Sequence, residues 1–148
     1  MEHTIKTPFG EITYSLDDRI SLPQGIPGFE DARHAIWVSL EEYEPLKWLV
    51  LELDEPVVLP LLDPFILASD YHPDITEGQF NLLETENPEA VAVFCVATPR
   101  KEQLPTINLR SPVLINPEKQ VAIQVILDDE ELPIRYHWEA STLGKAAC

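Results

Sequence analysis

The chain is short of cations. Ten lysines and arginines stand against 26 aspartates and glutamates, a formal net charge of −16 at pH 7. A surface of that sign repels a phosphate backbone, which argues against direct nucleic-acid binding. Cysteine is scarce as well. Cys95 lies in the apolar run Ala90 to Ala97 and Cys148 is the last residue, so the pair reads as a small buried hydrophobe and a tail thiol, with no disulfide. The histidines His3, His34, His72 and His137 fall at no metal-ligand spacing, and neither Cys-x-x-Cys nor His-Glu-x-x-His occurs; no metal or cofactor is expected. No serine has the flanks of a nucleophile elbow. Gly25-x-x-Gly28 lacks the lysine and the following helix of a phosphate loop. The acids sit in loop-like segments with no sign of a paired-carboxylate cleft. The expectation is a protein that is not an enzyme, with no catalytic residues. No apolar run reaches the length of a membrane helix, and the first residues, Met1 to Lys6, lack the pattern of a signal peptide, so a cytoplasmic location is expected.

Apolar residues make up 45% of the 148, enough for a real core in one domain, read as residues 1–138 with 139–148 as a flexible tail. Fourteen prolines run from Pro8 to Pro133 and rule out long helices, because an interior proline costs a helix about 3 kcal/mol. Between them the apolar pattern repeats every second residue. Ile12 and Tyr14 share a face, as do Ile36, Val38 and Leu40, and then Val121, Ile123, Val125 and Leu127 opposite Gln120 and Gln124. Trp48 to Leu53 and Val91 to Val96 are apolar on both faces and read as central strands. Pro60 marks Val57 to Leu62 as an edge or bulged strand. One helix is signalled, from Glu77 to about Leu83. Thr76 and Gln79 fit a capping box, Ile75 and Phe80 a hydrophobic staple, and Gly78 weakens it by about 1 kcal/mol. The fold class is therefore mainly β, a compact antiparallel β-barrel-like domain with one or two short helices.

Glycine is limited to five residues, and two of them lie in Gly25-Ile26-Pro27-Gly28-Phe29-Glu30. Pro27 followed by Gly28 is the chemistry of a type II turn. Ile26 and Phe29 on that turn either plug a core or offer a contact surface. Asp63 before Pro64 suits a turn cap, with Phe65 beside it as a candidate partner anchor. Asn108 and Asn116 read as turn residues, and Arg110 as a cation able to hold an acidic loop. The acids cluster at Glu41, Glu42 and Glu44 and at Asp128, Asp129, Glu130 and Glu131, which fits either simple solubility or steering toward a basic partner.

These pieces keep a particular order. Phe9-Gly10 and Ile20 precede the Gly25 to Glu30 turn; Trp37 and Trp48, Asp63-Pro64-Phe65 and Asp70-Tyr71 follow; Thr106, Asn108-Leu109, Pro112, Ile115-Asn116 and Gln124 to Leu127 close the series. In that order and spacing the chain resembles the FliW family, the flagellar assembly factors of bacteria. Leu22, where that family would carry phenylalanine, and Val57 to Pro60 depart from its pattern. The resemblance implies a β-barrel-like binding protein. It would antagonise CsrA, a small basic RNA-binding translational repressor, and bind flagellin in competition, thereby regulating flagellin translation. Ile26, Phe29, Phe65 and Tyr71 would supply apolar contact and the two acidic clusters would meet the basic partner. A monomer is expected when free. A flagellin-dedicated chaperone without CsrA control and a small-ligand-binding barrel remain the alternatives.

Overall fold

The computed structural model describes residues 2–7, 10–39, 41, 44–68 and 70–137. Glu42 and the proposed tail, 139–148, lie outside the described residues. Strands β1 (Glu2–Thr7) and β2 (Gly10–Ser15) form a hairpin of their own. The remaining strands are β3 (Ile20–Ser21), β4 (His34–Ser39), β5 (Lys47–Leu51), β6 (Val57–Leu62), β7 (Ala92–Arg100), β8 (Gln103–Ile107), β9 (Val113–Asn116) and β10 (Val121–Gln124). They make one sheet in the order β6-β5-β4-β3-β10-β9-β7-β8. A pairing of β6 with β7 closes all but β8 into a ring. The fold is mainly β, as expected, but the sheet is mixed, because β3 runs parallel to β10.

Strand alternation divides the apolar residues into three layers. Inside the ring lie Ala35, Leu49, Leu51, Leu61, Val113, Ile115 and Ala122, packed with Trp37, Leu59, Phe94 and Val96. The register agrees at each step: Trp37 opposite Leu49, Leu49 opposite Leu59, Leu61 opposite Val96, Phe94 opposite Val113, Ile115 opposite Ala122. On the outer face of β4 to β6, Ile36, Val38, Trp48 and Val50 are covered by Ile5, Ile12 and Tyr14 of the hairpin. On the outer face of β7, β9 and β10, Cys95, Leu114, Val121 and Ile123 are covered by Leu83, Tyr71, Leu109 and Leu127. Each valine, leucine or isoleucine fully buried in these layers contributes about 1.5–3 kcal/mol over leaving it exposed.

The single α-helix among the described residues, α1 (Glu77–Leu82), begins on the predicted capping box. The Gln79 amide N–H donates to Thr76 Oγ1 at 3.1 Å and the Thr76 N–H to Gln79 Oε1 at 2.9 Å. Leu83, just past its end, is fully buried.

Prolines shape the strands more subtly than expected. Strand β6 pairs with β5 from Val57 to Leu61, and Leu61 and Leu62, just after Pro60, pair with β7, so it is no simple edge. Pro60 has no N–H to donate, and the second pairing starts once the proline is passed. Strand β7 runs on through Pro99, where its register with β8 shifts, and β8 carries Pro105. Strand β8 pairs with β7 alone, an edge where proline is tolerated. Strand β10 ends at Gln124 rather than Leu127. Val125 and Leu127 remain buried, but their N–H groups donate to Pro112 O (3.0 Å) and Arg110 O (2.8 Å), outside the ladder.

Candidate functional site

The Gly25 to Glu30 turn is built as its chemistry requires. The Phe29 N–H donates to Ile26 O at 2.6 Å across Pro27 and Gly28, and Gly28 has φ +88°. Gly25 has φ +65°, and a Cβ there would stand 2.6 Å from Glu30 O. Ile26 is 2% exposed and packs with Leu22, Ala32 and Leu51 inside the ring; Phe29 lies half-buried against that layer. The turn thus closes one end of the ring. Ile26 is almost wholly shielded from solvent in this position.

Asp63 caps a short 3-10 turn, its Oδ1 accepting from the Phe65 N–H at 2.9 Å. Phe65 is 43% exposed, and its ring centre lies 5.8 Å from that of Tyr71. Tyr71 is buried, its hydroxyl donating to Leu109 O at 2.6 Å and facing the Cys95 thiol. Burial pushes the Tyr71 hydroxyl up and the Cys95 thiol up to about 12, so both stay protonated at neutral pH. Asn116 donates from Nδ2 to Leu83 O at 2.7 Å, while its Oδ1 accepts from the Glu118 and Lys119 N–H groups. Asn108 Oδ1 accepts from the Arg110 and Ser111 N–H groups.

That asparagine turn presents Arg110 to the acidic loop. Arg110 donates from Nη2 to Glu130 O at 2.7 Å and from Nε to Leu132 O at 2.9 Å. The cation grips the loop by its backbone, and the Asp128, Asp129, Glu130 and Glu131 residues remain exposed. Two further bonds join the same segments, Leu127 N–H to Arg110 O (2.8 Å) and Leu109 N–H to Pro133 O (3.0 Å). Asp129 Oδ1 also accepts from the Glu131 N–H at 3.0 Å. These bonds fasten the loop to the body of the chain itself.

Beside the loop is a feature the sequence reading missed. Ile126 is 69% exposed, the most exposed of the large apolar side chains among the described residues. It borders a groove of about 230 Å³ with Leu127, Asp128, Asp129 and Leu132 on one wall and Asp74, Thr76 and Gln79 on the other. The available signal was the alternation itself, since Val125 and Leu127 inward leaves Ile126 outward. An apolar centre rimmed by acids suits a basic partner with an apolar anchor.

The other acidic cluster lies elsewhere. Glu41 is exposed, and Glu44 is held by Lys47 (Nζ to Oε1 2.6 Å) and Ser39 (2.7 Å), which keep its carboxyl below the usual range. These residues follow the C-terminal end of β4. Strand β4 runs antiparallel to β3, and β3 parallel to β10, so β4 ends where β10 begins. Asp128 to Glu131 follow the C-terminal end of β10. The two clusters therefore occupy opposite ends of the ring and do not form one continuous patch. Among the described residues no group of histidine, cysteine and acidic side chains could hold a metal ion, and no helix is long and apolar enough to cross a membrane.

The model of the family described as FliW protein matches residues 3–138. The flagellar assembly factor FliW of Thermotoga maritima is 39% identical over 133 residues, covering 88% of this chain and 89% of that protein. The protein of the same name from Thermosipho africanus is 39% identical over 132 residues, with 88% and 91% covered. That from Syntrophus aciditrophicus is 36% identical over 131 residues, with 88% and 83% covered. A crystal structure of the flagellar assembly factor FliW superposes with a TM-score of 0.84 at 26% identity, covering 91% of this chain and 96% of that one.

Proposed function

The chain belongs to the FliW family of flagellar assembly factors, which are not enzymes, and from that premise we propose that it works by stoichiometric binding: it sequesters the translational repressor CsrA and binds flagellin, the two partners exchanging on it. When flagellin is exported, the freed protein takes up CsrA and flagellin translation resumes. The proposed setting is the cytoplasm, where both partners are made.

One observation carries the reading. The loop Asp128 to Glu131 is exposed, strongly acidic and fastened by Arg110 before a partner arrives, with the exposed Ile126 and its groove alongside. A basic protein such as CsrA meets complementary charge there without having to order the loop. Phe65, with its exposed ring, is a further candidate contact. The reading needs no catalytic group and no cofactor, because a stoichiometric antagonist acts by occupancy.

Charge reversal of Asp128, Asp129, Glu130 and Glu131 to lysine tests it. Affinity for CsrA is expected to fall by more than about tenfold, the salt dependence of binding shrinking with it. Unchanged affinity and unchanged salt dependence would remove the loop from the interface. Binding of flagellin with no binding of CsrA to the unaltered protein would favour a flagellin-dedicated chaperone.

A further inference from the structure

Among the described residues, the end of the ring opposite the Ile26 turn is open. A recess of about 290 Å³ enters it, lined by Ile20, Trp37, Ala92, Phe94 and Ile115, with Asp18, Pro117 and Gln120 at the rim. The apolar members all belong to the inner layer of the ring. Deeper in, Leu49, Leu51, Leu61 and Val113 are wholly buried, whereas at the mouth Trp37 and Phe94 are half-buried, their ring centres 4.9 Å apart. At the other end Ile26 fills the equivalent position from a turn of the chain itself. Among the described residues no turn does so here.

The open mouth is also acidic. Asp17 and Asp18 precede β3, Glu86 and Glu89 precede β7, and Glu118 lies in the turn between β9 and β10, all of them exposed at this end of the ring. Of the cations nearby, Arg19 pairs with Glu52 and Lys47 with Glu44, while Lys119, next to Glu118 in the same turn, is exposed, so acids outnumber cations at the rim. An apolar hole of this volume falls just below the roughly 300–1,000 Å³ of small-molecule sites and suits a single large side chain. The surrounding charge selects a cationic neighbour for it.

We infer that the ring mouth is a second partner contact, which receives one large apolar side chain from a basic protein segment. It rests on the reading of this protein as a partner-binding one. It is a surface separate from the Arg110-braced loop, since the two lie at opposite ends of the ring. The inserted side chain would stack on Trp37 and Phe94 and do at this end what Ile26 does at the other, while arginines or lysines beside it meet the acidic rim.

The test uses the full chain with isotope-labelled isoleucine methyl groups. Ile20 and Ile115 report the recess, and Ile126 reports the loop surface. The first probe is a five-residue peptide with phenylalanine between two pairs of arginines, the second the same peptide with alanine at the centre. The phenylalanine peptide is expected to shift Ile20 and Ile115 saturably and the alanine peptide not to. Ala92→Phe, which fills the recess from its wall, is expected to abolish those shifts and to weaken CsrA or flagellin binding by about tenfold or more. Equal shifts with both peptides, or none with either, would overturn the inference. So would saturation of the recess by indole without any response to the phenylalanine peptide, which would mark a small-molecule site. If CsrA binds the unaltered protein and Ala92→Phe equally, and flagellin does too, the recess fails as a partner contact while the partner reading stands. If neither protein binds the unaltered chain, the partner reading fails, and the inference fails with it whatever the peptides do.

Discussion

The two ends of the ring meet the same physical demand in different ways. Each must cover apolar side chains that the strands point inward. At one end the chain covers them itself, with Leu22 and Ile26 wholly or almost wholly buried. The chemistry there is backbone chemistry, two glycines at positive φ and a proline between them. At the other end Trp37 and Phe94 are left half-buried around an acid-rimmed recess. A residue at the first end serves folding. A residue at the second can change its neighbours without unfolding anything, which is what a binding surface requires. The comparison teaches that an apolar pair on a rigid turn, such as Ile26 and Phe29, reads as an interface or as a plug until burial decides.

Substitutions at the plugged end break this contrast most severely. Ile26→Ala is expected to cost about 2–5 kcal/mol, the cost of a cavity in a core that cannot collapse around it, read as a lowered midpoint in denaturant melts. Gly25→Ala should be comparably damaging, because its Cβ would meet the Glu30 backbone. Gly28→Ala separates strain from clash. Nothing lies within 4 Å of a Cβ at Gly28, so only the positive φ is penalised, at about 1–2 kcal/mol. A loss at Gly28 as large as that at Gly25 would contradict this account of the turn.

Arg110→Ala comes next. It removes two charge-assisted bonds to backbone carbonyls, worth about 1–3 kcal/mol together, and frees the acidic loop. Amide hydrogen exchange across residues 127–133 should quicken while the Ile26 turn stays protected. Uniform loosening of both regions would show that the loop is not a separate unit.

The smallest expected effect is on alkaline stability. Burial raises the Cys95 thiol to about 12 and the Tyr71 hydroxyl as well; burial followed by a hydrogen bond to Glu52 raises Tyr14 to about 12. Each binds its proton more tightly folded than unfolded. The stability they contribute is therefore complete below their unfolded pKa values, about 8.5 for cysteine and 10 for tyrosine, and is lost as pH rises toward the folded values. Stability should decline between about pH 9 and 12, and Cys95→Ala should flatten the early part of that decline. An unchanged slope in that variant would remove Cys95 from the account.

Legibility followed the range of the interactions. The type II turn, the capping box at Thr76 and Gln79, the Asp63 cap and the asparagine turns are local chemistry within a few residues, and the sequence displayed them. Arg110 was readable as a loop holder because it is one of few cations, although its grip on carbonyls rather than carboxylates was not. Strand β3 was invisible, being two residues long and paired in parallel with a strand about a hundred residues away. The burial of Tyr71 depends on Leu109, 38 residues on. The separation of the two acidic clusters depends on strand direction, which alternation alone does not record. Ile126 was hidden for a simpler reason: the inward residues on either side of it drew the reading to the core face.

The central claim is that a preformed acidic surface on this chain captures a basic regulator. Calorimetric titration with purified CsrA, at low and high salt and with and without flagellin, tests it most directly. Saturable binding that weakens with salt and is displaced by flagellin is the predicted result. No binding of CsrA at low salt, where charge attraction is strongest, would contradict it.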